Sequence, residues 1–119
     1  MGAATLCEPL TDDPEDPNVV KVVRSRSGRA IYFSRAPIPF PREGDAQMWR
    51  RHVGVYGFRV GTLKTFVALP QSDLEHIERL EQLRLLDNDI DMLVLDACAS
   101  VPGGVDTPAD LERINALFD

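Results

Sequence analysis

Three prolines at alternate positions, Pro37, Pro39 and Pro41, divide this chain more firmly than any other feature. Each fixes its own φ, lacks an N–H and pushes the preceding residue toward extended backbone, so no helix can cross this stretch. Before it, Asn18–Val23 is rich in valine and predicts a strand, and Ala30–Phe33 predicts a second. Arg24–Arg29 lies between them, with Ser27-Gly28 supplying turn chemistry, so the pair reads as a β-hairpin. Thr11–Asn18 holds four acids and two prolines and predicts a solvated loop.

Beyond the prolines, Arg42–Gln47 is polar and reads as a surface loop. Val53–Arg59 predicts a strand interrupted by Gly54 and Gly57, where a bulge or a close backbone approach is expected. Gly61–Leu69 predicts a short helix that ends before Pro70. Ser72 and Glu75 form a capping box that opens the clearest helix, fading near Asp87-Asn88-Asp89. Leu74, Ile77, Leu80 and Leu85 share one arc of that helix, and their burial would contribute roughly 6–12 kcal/mol as an upper bound. Asp91–Leu95 predicts a fourth strand and Pro102-Gly103-Gly104 a loop. Thr107 caps a last helix, with Pro108 at its first position, Asp110 closing a capping box, and Leu111, Ile114, Leu117 and Phe118 as the apolar face. Hairpin, strand, helix, strand, helix is the order of an α/β layer with a mixed sheet.

At 119 residues the chain can enclose one core. Its net charge of -6 argues against a broad footprint for nucleic acid or anionic membrane, while leaving room for a small basic pocket. No apolar run approaches the ~20 residues of a membrane helix. Met1–Leu10 lacks the basic start and apolar stretch of a signal peptide, and a cytoplasmic location is expected. Cys7 and Cys98 have no ligand-type spacing and read as reduced thiols packed as small hydrophobes.

Glu81 breaks the pattern, because on the helical wheel it falls between Leu74 and Ile77. Such a carboxylate must be paired, with Arg84 the obvious partner, or placed at a site opening. Gln82 lies at the edge of the same arc. Asp106, before a helix start and after Gly103-Gly104, fits either helix-dipole complementarity or an oxygen ligand for Mg²⁺. His52 and Tyr56 are an even offset apart and share a strand face unless a bulge at Gly54 intervenes. His76 reads as structural. Arg24, Arg26 and Arg29 read as a solvated hairpin tip. Arg35 sits where the backbone is stiff, so its guanidinium can hold a carboxylate or simply lie at the surface. No Ser-His-Asp spacing, zinc pattern or Walker-type loop is present.

Five segments in order carry a resemblance: Asn18–Val23 (NVVKVV), Tyr32–Pro39 (YFSRAPIP), Arg51–Arg59 (RHVGVYGFR), Leu80–Arg84 (LEQLR) and Gly104–Pro108 (GVDTP). Together they resemble the C-terminal half of the 3-deoxy-manno-octulosonate cytidylyltransferase family. The resemblance implies part of a Rossmann-like nucleotide-diphospho-sugar transferase domain, a mixed sheet with a β-hairpin arm. It implies transfer of CMP from CTP to the sugar acid Kdo with Mg²⁺, for lipopolysaccharide synthesis. It places Arg35, His52, Tyr56, Glu81 and Gln82 around the sugar acid and makes Asp106 a Mg²⁺ ligand. It also implies a homodimer, with Val19–Phe33 in the contact. Residues 1–119 would be one C-terminal part, without the family's nucleotide-binding half, and CTP binding by this chain alone is not expected. Asn88-Asp89 stands where the family usually has a glycine turn. A non-catalytic sugar-acid-binding or dimerisation module, and an enzyme for a related sugar acid, are the alternative readings.

Overall fold

In a computed structural model, which describes residues 2–43 and 49–97, the valine-rich segment forms one arm of the expected hairpin. The strands are β1 (Ala3–Pro9), β2 (Lys21–Arg24), β3 (Ala30–Ser34), β4 (Arg50–Phe58) and β5 (Met92–Asp96). The helices are α1 (Val60–Ala68), α2 (Asp73–Glu78) and α3 (Leu83–Asp87). The sheet runs β3-β2-β4-β1-β5, with β1 antiparallel to β4 and parallel to β5. This is the mixed α/β sheet expected from the sequence, with β2 and β3 as its hairpin arm.

β1 has no counterpart in the periodicity analysis, and burial explains why. It lies between β4 and β5, and Ala3 through Cys7 are all buried, so no polar alternation marks it. The hairpin arm curls back over the sheet. Val94 N–H donates to the Gly28 carbonyl at 2.7 Å, and Arg29 bridges Leu93, so the turn docks on β5. Gly28 adopts φ 92°, which a side chain would resist, and a Cβ there would lie 3.2 Å from a Leu93 methyl.

The long helix expected from Ser72 is instead two short ones. The capping box forms as predicted, but Arg79 turns to φ 58° and ends α2 after six residues. Ile77, placed in the apolar arc by a continuous wheel, is 74% exposed. Leu80 and Leu85 are buried and Leu74 partly so, which places the apolar contribution of this segment toward the low end of the expected range. Asp89 also has φ 60°, a left-handed backbone of the kind a glycine turn supplies.

The larger core lies on one face of the sheet, where Phe33, Val22, Met92 and Val94 meet Leu80, Leu83 and Leu85. Cys7 belongs to it, and burial pushes its thiol up, consistent with an inert packed group. Leu6, Val53 and Val55 form a smaller cluster. Lys21 is fully buried. Its ammonium donates to the Asp16 carbonyl at 2.9 Å and the Arg35 carbonyl at 2.6 Å, tying the acidic loop to the end of the hairpin. No helix among the described residues is long and apolar enough to cross a membrane.

Candidate functional site

A cavity of about 320 Å³ opens between the C-terminal end of β4, α1 and the α2–α3 turn. Tyr56 and Phe58 enter from alternate positions of β4, Phe66 from α1, and Glu81 and Gln82 from the turn. The break at Arg79 creates this site. Had α2 continued, Glu81 would have kept its wheel position among the leucines. Instead the chain closes tight turns, Leu83 N–H to the Leu80 carbonyl and Arg84 N–H to the Glu81 carbonyl. Gln82 is buried to 7% exposure, whereas Glu81 is exposed at the cavity mouth.

The pairing of Glu81 with Arg84 is not formed. Arg84 reaches back to Glu75 with a bidentate contact, Nε to Oε1 at 2.8 Å and Nη2 to Oε2 at 2.7 Å. Hydrogen bonding from Arg84 holds the buried Glu75 carboxyl below its usual range despite desolvation. The same guanidinium lies 4.9 Å over the Phe66 ring, fixing one wall of the cavity. Glu81 is thereby left with its carboxylate at the opening.

His52 and Tyr56 do share a neighbourhood, although β4 is bulged. Thr5 pairs with Tyr56 and Leu6 with Val53, so Gly54 and Val55 are extra residues in the ladder. The rings form a continuous row: Phe33 edge-on to His52 at 4.8 Å, His52 to Tyr56 at 5.5 Å, Tyr56 stacked on Phe58 at 6.0 Å, and Phe58 to Phe66 at 5.8 Å. His52 lies behind the cavity wall rather than in it.

The tautomer of His52 follows from hydrogen-bond counting. The Thr5 hydroxyl has one proton, given to the Val55 carbonyl at 2.7 Å with a longer approach to the Val53 carbonyl at 3.2 Å. Its 2.9 Å contact with His52 Nε2 is therefore an acceptance, and Nε2 carries the hydrogen. Burial, with Arg51 nearby, lowers the imidazole to about 4, so the ring is neutral at pH 7. Burial and the Glu81 charge push the Tyr56 phenol up, and it stays a hydroxyl, able to donate.

Arg35 stands apart from this cavity. Its Nε donates to the Glu78 carbonyl at 2.8 Å, Nη1 to Pro17 at 2.7 Å and Nη2 to Arg79 at 3.1 Å. The guanidinium thus stitches the acidic loop to the broken end of α2. Glu78 completes the knot, accepting from the Ser34 hydroxyl at 2.6 Å and from the Arg35 backbone at 3.0 Å. His76 is exposed on α2. Asp106, and with it Cys98 and the helix expected from Thr107, lies outside the described residues. Among the described residues no group of three or more His, Cys, Asp or Glu side chains is placed to hold a metal.

Phe58 and Phe66 were not singled out from the sequence. Phe58 was legible in principle, since it stands two residues from Tyr56 on a strand and shares its face. Phe66 becomes a wall only through packing across α1. The hairpin tip also differs from the solvated cluster expected. Arg24 donates to the Val94 carbonyl and to Asp96, and Arg29 lies 3.9 Å from Asp91, so β5 anchors the tip.

A cytidylyltransferase family model matches residues 3–92 of the chain. The 3-deoxy-manno-octulosonate cytidylyltransferase of Cellvibrio japonicus is 51% identical over 98% of this chain and 50% of its own length. That of Saccharophagus degradans is 46% identical over 96% of the chain and 50% of its own length. A solved structure of CMP:2-keto-3-deoxy-manno-octonic acid synthetase complexed with CTP superposes with TM-score 0.79 at 42% identity, covering 99% of this chain and 49% of that one. The chain spans about half the length of the curated relatives it matches.

Proposed function

This chain belongs to the cytidylyltransferase family, and from that premise we propose that it supplies the sugar-acid side of an enzyme making CMP-Kdo from CTP and 3-deoxy-manno-octulosonate. The observation that carries this reading is the cavity in which an aromatic wall meets Glu81 and Gln82. A polyhydroxylated anion offers hydroxyl groups to a carboxylate and an amide, and C–H faces to stacked rings. Glu81 accepts from sugar hydroxyls, Gln82 both donates and accepts, and the protonated Tyr56 donates. His52, neutral and fixed by Thr5, supports the Tyr56 ring from behind.

In the reaction an oxygen of the sugar acid attacks the α-phosphorus of CTP. The new bond forms as the bond to the bridging oxygen breaks, pyrophosphate leaves with the electron pair, and the proton of the attacking hydroxyl passes to solvent. This chain's residues act by positioning, so that the attacking oxygen is held in line. Mg²⁺, when bound, would neutralise charge on the phosphates, and Asp106 is the residue proposed to hold it. Arg35 has its guanidinium engaged with three carbonyls, so the sugar carboxylate is not assigned to it as it sits. The assembly is proposed to be a cytoplasmic homodimer that uses the outer face of the hairpin, where Ile31 is 56% exposed.

Isothermal titration of the 119-residue chain separates the two ligands. The sugar acid binds, and CTP shows no micromolar affinity. Micromolar CTP binding would contradict the assignment of this chain to the sugar-acid side alone.

A further inference from the structure

A second cleft, of about 500 Å³, opens where the β2–β3 turn meets β5, and its walls include Arg24, Arg26, Arg50, Ser25, Ser27 and Asp96. Three guanidinium groups face one carboxylate there, in a chain whose net charge is -6. The local sign is therefore opposite to that of the whole molecule, and an excess of two positive charges has to be explained.

Two of the three cations are held rather than free. Arg24 donates through Nη1 to the Val94 carbonyl at 2.9 Å and through Nη2 to Asp96 Oδ1 at 2.8 Å. Arg50 donates to the same oxygen at 3.2 Å. Each guanidinium carries five N–H donors, so these contacts orient both forks and leave donors over. Their side chains are only 18% and 31% exposed, which reduces the entropy lost when they grip a ligand. Arg26, exposed at the turn, adds a third fork with no ion pair among the described residues. The Ser25 and Ser27 hydroxyls are hydrogen-bonded to each other at 2.8 Å, which leaves one hydroxyl proton of the pair as a further donor.

We propose that this cleft is a binding site for a phosphate-bearing anion, separate from the aromatic cavity. Guanidinium forks match the oxygens of a phosphate bidentately, and a dianion matches the excess charge. The Asp96 carboxylate sets the geometry of the forks while opposing the ligand. That gives the proposal a signed test, since Asp96→Asn keeps an oxygen acceptor and removes the opposing charge.

The experiment titrates the full chain with inorganic pyrophosphate at constant ionic strength, following backbone amide shifts. Saturable changes are expected at residues 25–28 and 94–96. Arg26→Ser and Arg50→Gln each weaken binding about five-fold or more, the loss of a charge-assisted hydrogen bond. Asp96→Asn tightens it several-fold, and Lys64→Ser on α1 leaves it unchanged. Absence of saturation, shifts centred elsewhere, or parent-like binding by both arginine variants would overturn the proposal. Failure of Asp96→Asn to tighten binding counts equally against it. Binding of the sugar acid at the aromatic cavity is read at different residues, so the two results are independent.

Discussion

His52 shows how one side chain joins the sheet to the site. Its Nε2–H bonds to Thr5 across the bulged pair of strands, and its ring stands between Phe33 and Tyr56. Burial lowers its pKa to about 4, against the ordinary 6.5. The unfolded chain therefore binds more protons than the folded one between those values, and stability falls as pH drops from about 6.5 toward 4. The shift corresponds to a loss on the order of 3 kcal/mol. Denaturant unfolding from pH 7 to pH 4 checks this, with His52→Gln giving a flatter profile over that window. A His52 imidazole resonance that titrates near 6.5 in the folded protein would contradict it. Glu81 teaches the complementary lesson. Its oddity on the wheel was legible, but its surroundings were not, because the wheel assumed a helix that Arg79 ends.

At the scale of elements, Arg79 is the decisive position. A non-glycine residue at φ 58° carries a cost of roughly 1–2 kcal/mol, only part of which glycine's own entropy would offset. What the fold takes from this position is its backbone carbonyl, which accepts from Arg35. Arg79→Gly is therefore expected to stabilise the protein by about 0.5–1 kcal/mol, read as an upward shift of the urea midpoint with an unchanged slope. A lower midpoint would mean that the Arg79 side chain supports α2 in some other way. The hairpin, the fourth strand, α1 and the capping box were all readable from local chemistry, because valine density, turn residues and caps act within a few positions. β1 and the α2–α3 break were not. The first is buried on both faces and lacks alternation, and the second is decided by where Leu80, Leu83 and Leu85 must sit to meet the sheet.

On the scale of the whole molecule, the sheet curls so that the hairpin tip docks on β5, while the α2–α3 turn closes over the aromatic end of β4. Among the described residues this forms two hollows of different character. One is walled by rings and carries a carboxylate at its mouth, and the other is dominated by guanidinium groups. Of the residues marked from the sequence, Tyr56, Glu81 and Gln82 line the first, His52 backs it, and Arg35 is held elsewhere by three carbonyls. That division arises from long-range packing, which residue type and spacing do not encode. The central claim is that the ring-walled hollow takes the sugar acid. It is tested most directly by titrating the labelled chain with 3-deoxy-manno-octulosonate and mapping the amide and aromatic shifts. The account predicts saturable changes centred on Tyr56, Phe58, Phe66, Glu81 and Gln82, weakened about ten-fold or more in Glu81→Gln through loss of a charge-assisted hydrogen bond. Saturable shifts centred on other residues, or none at all, would contradict it.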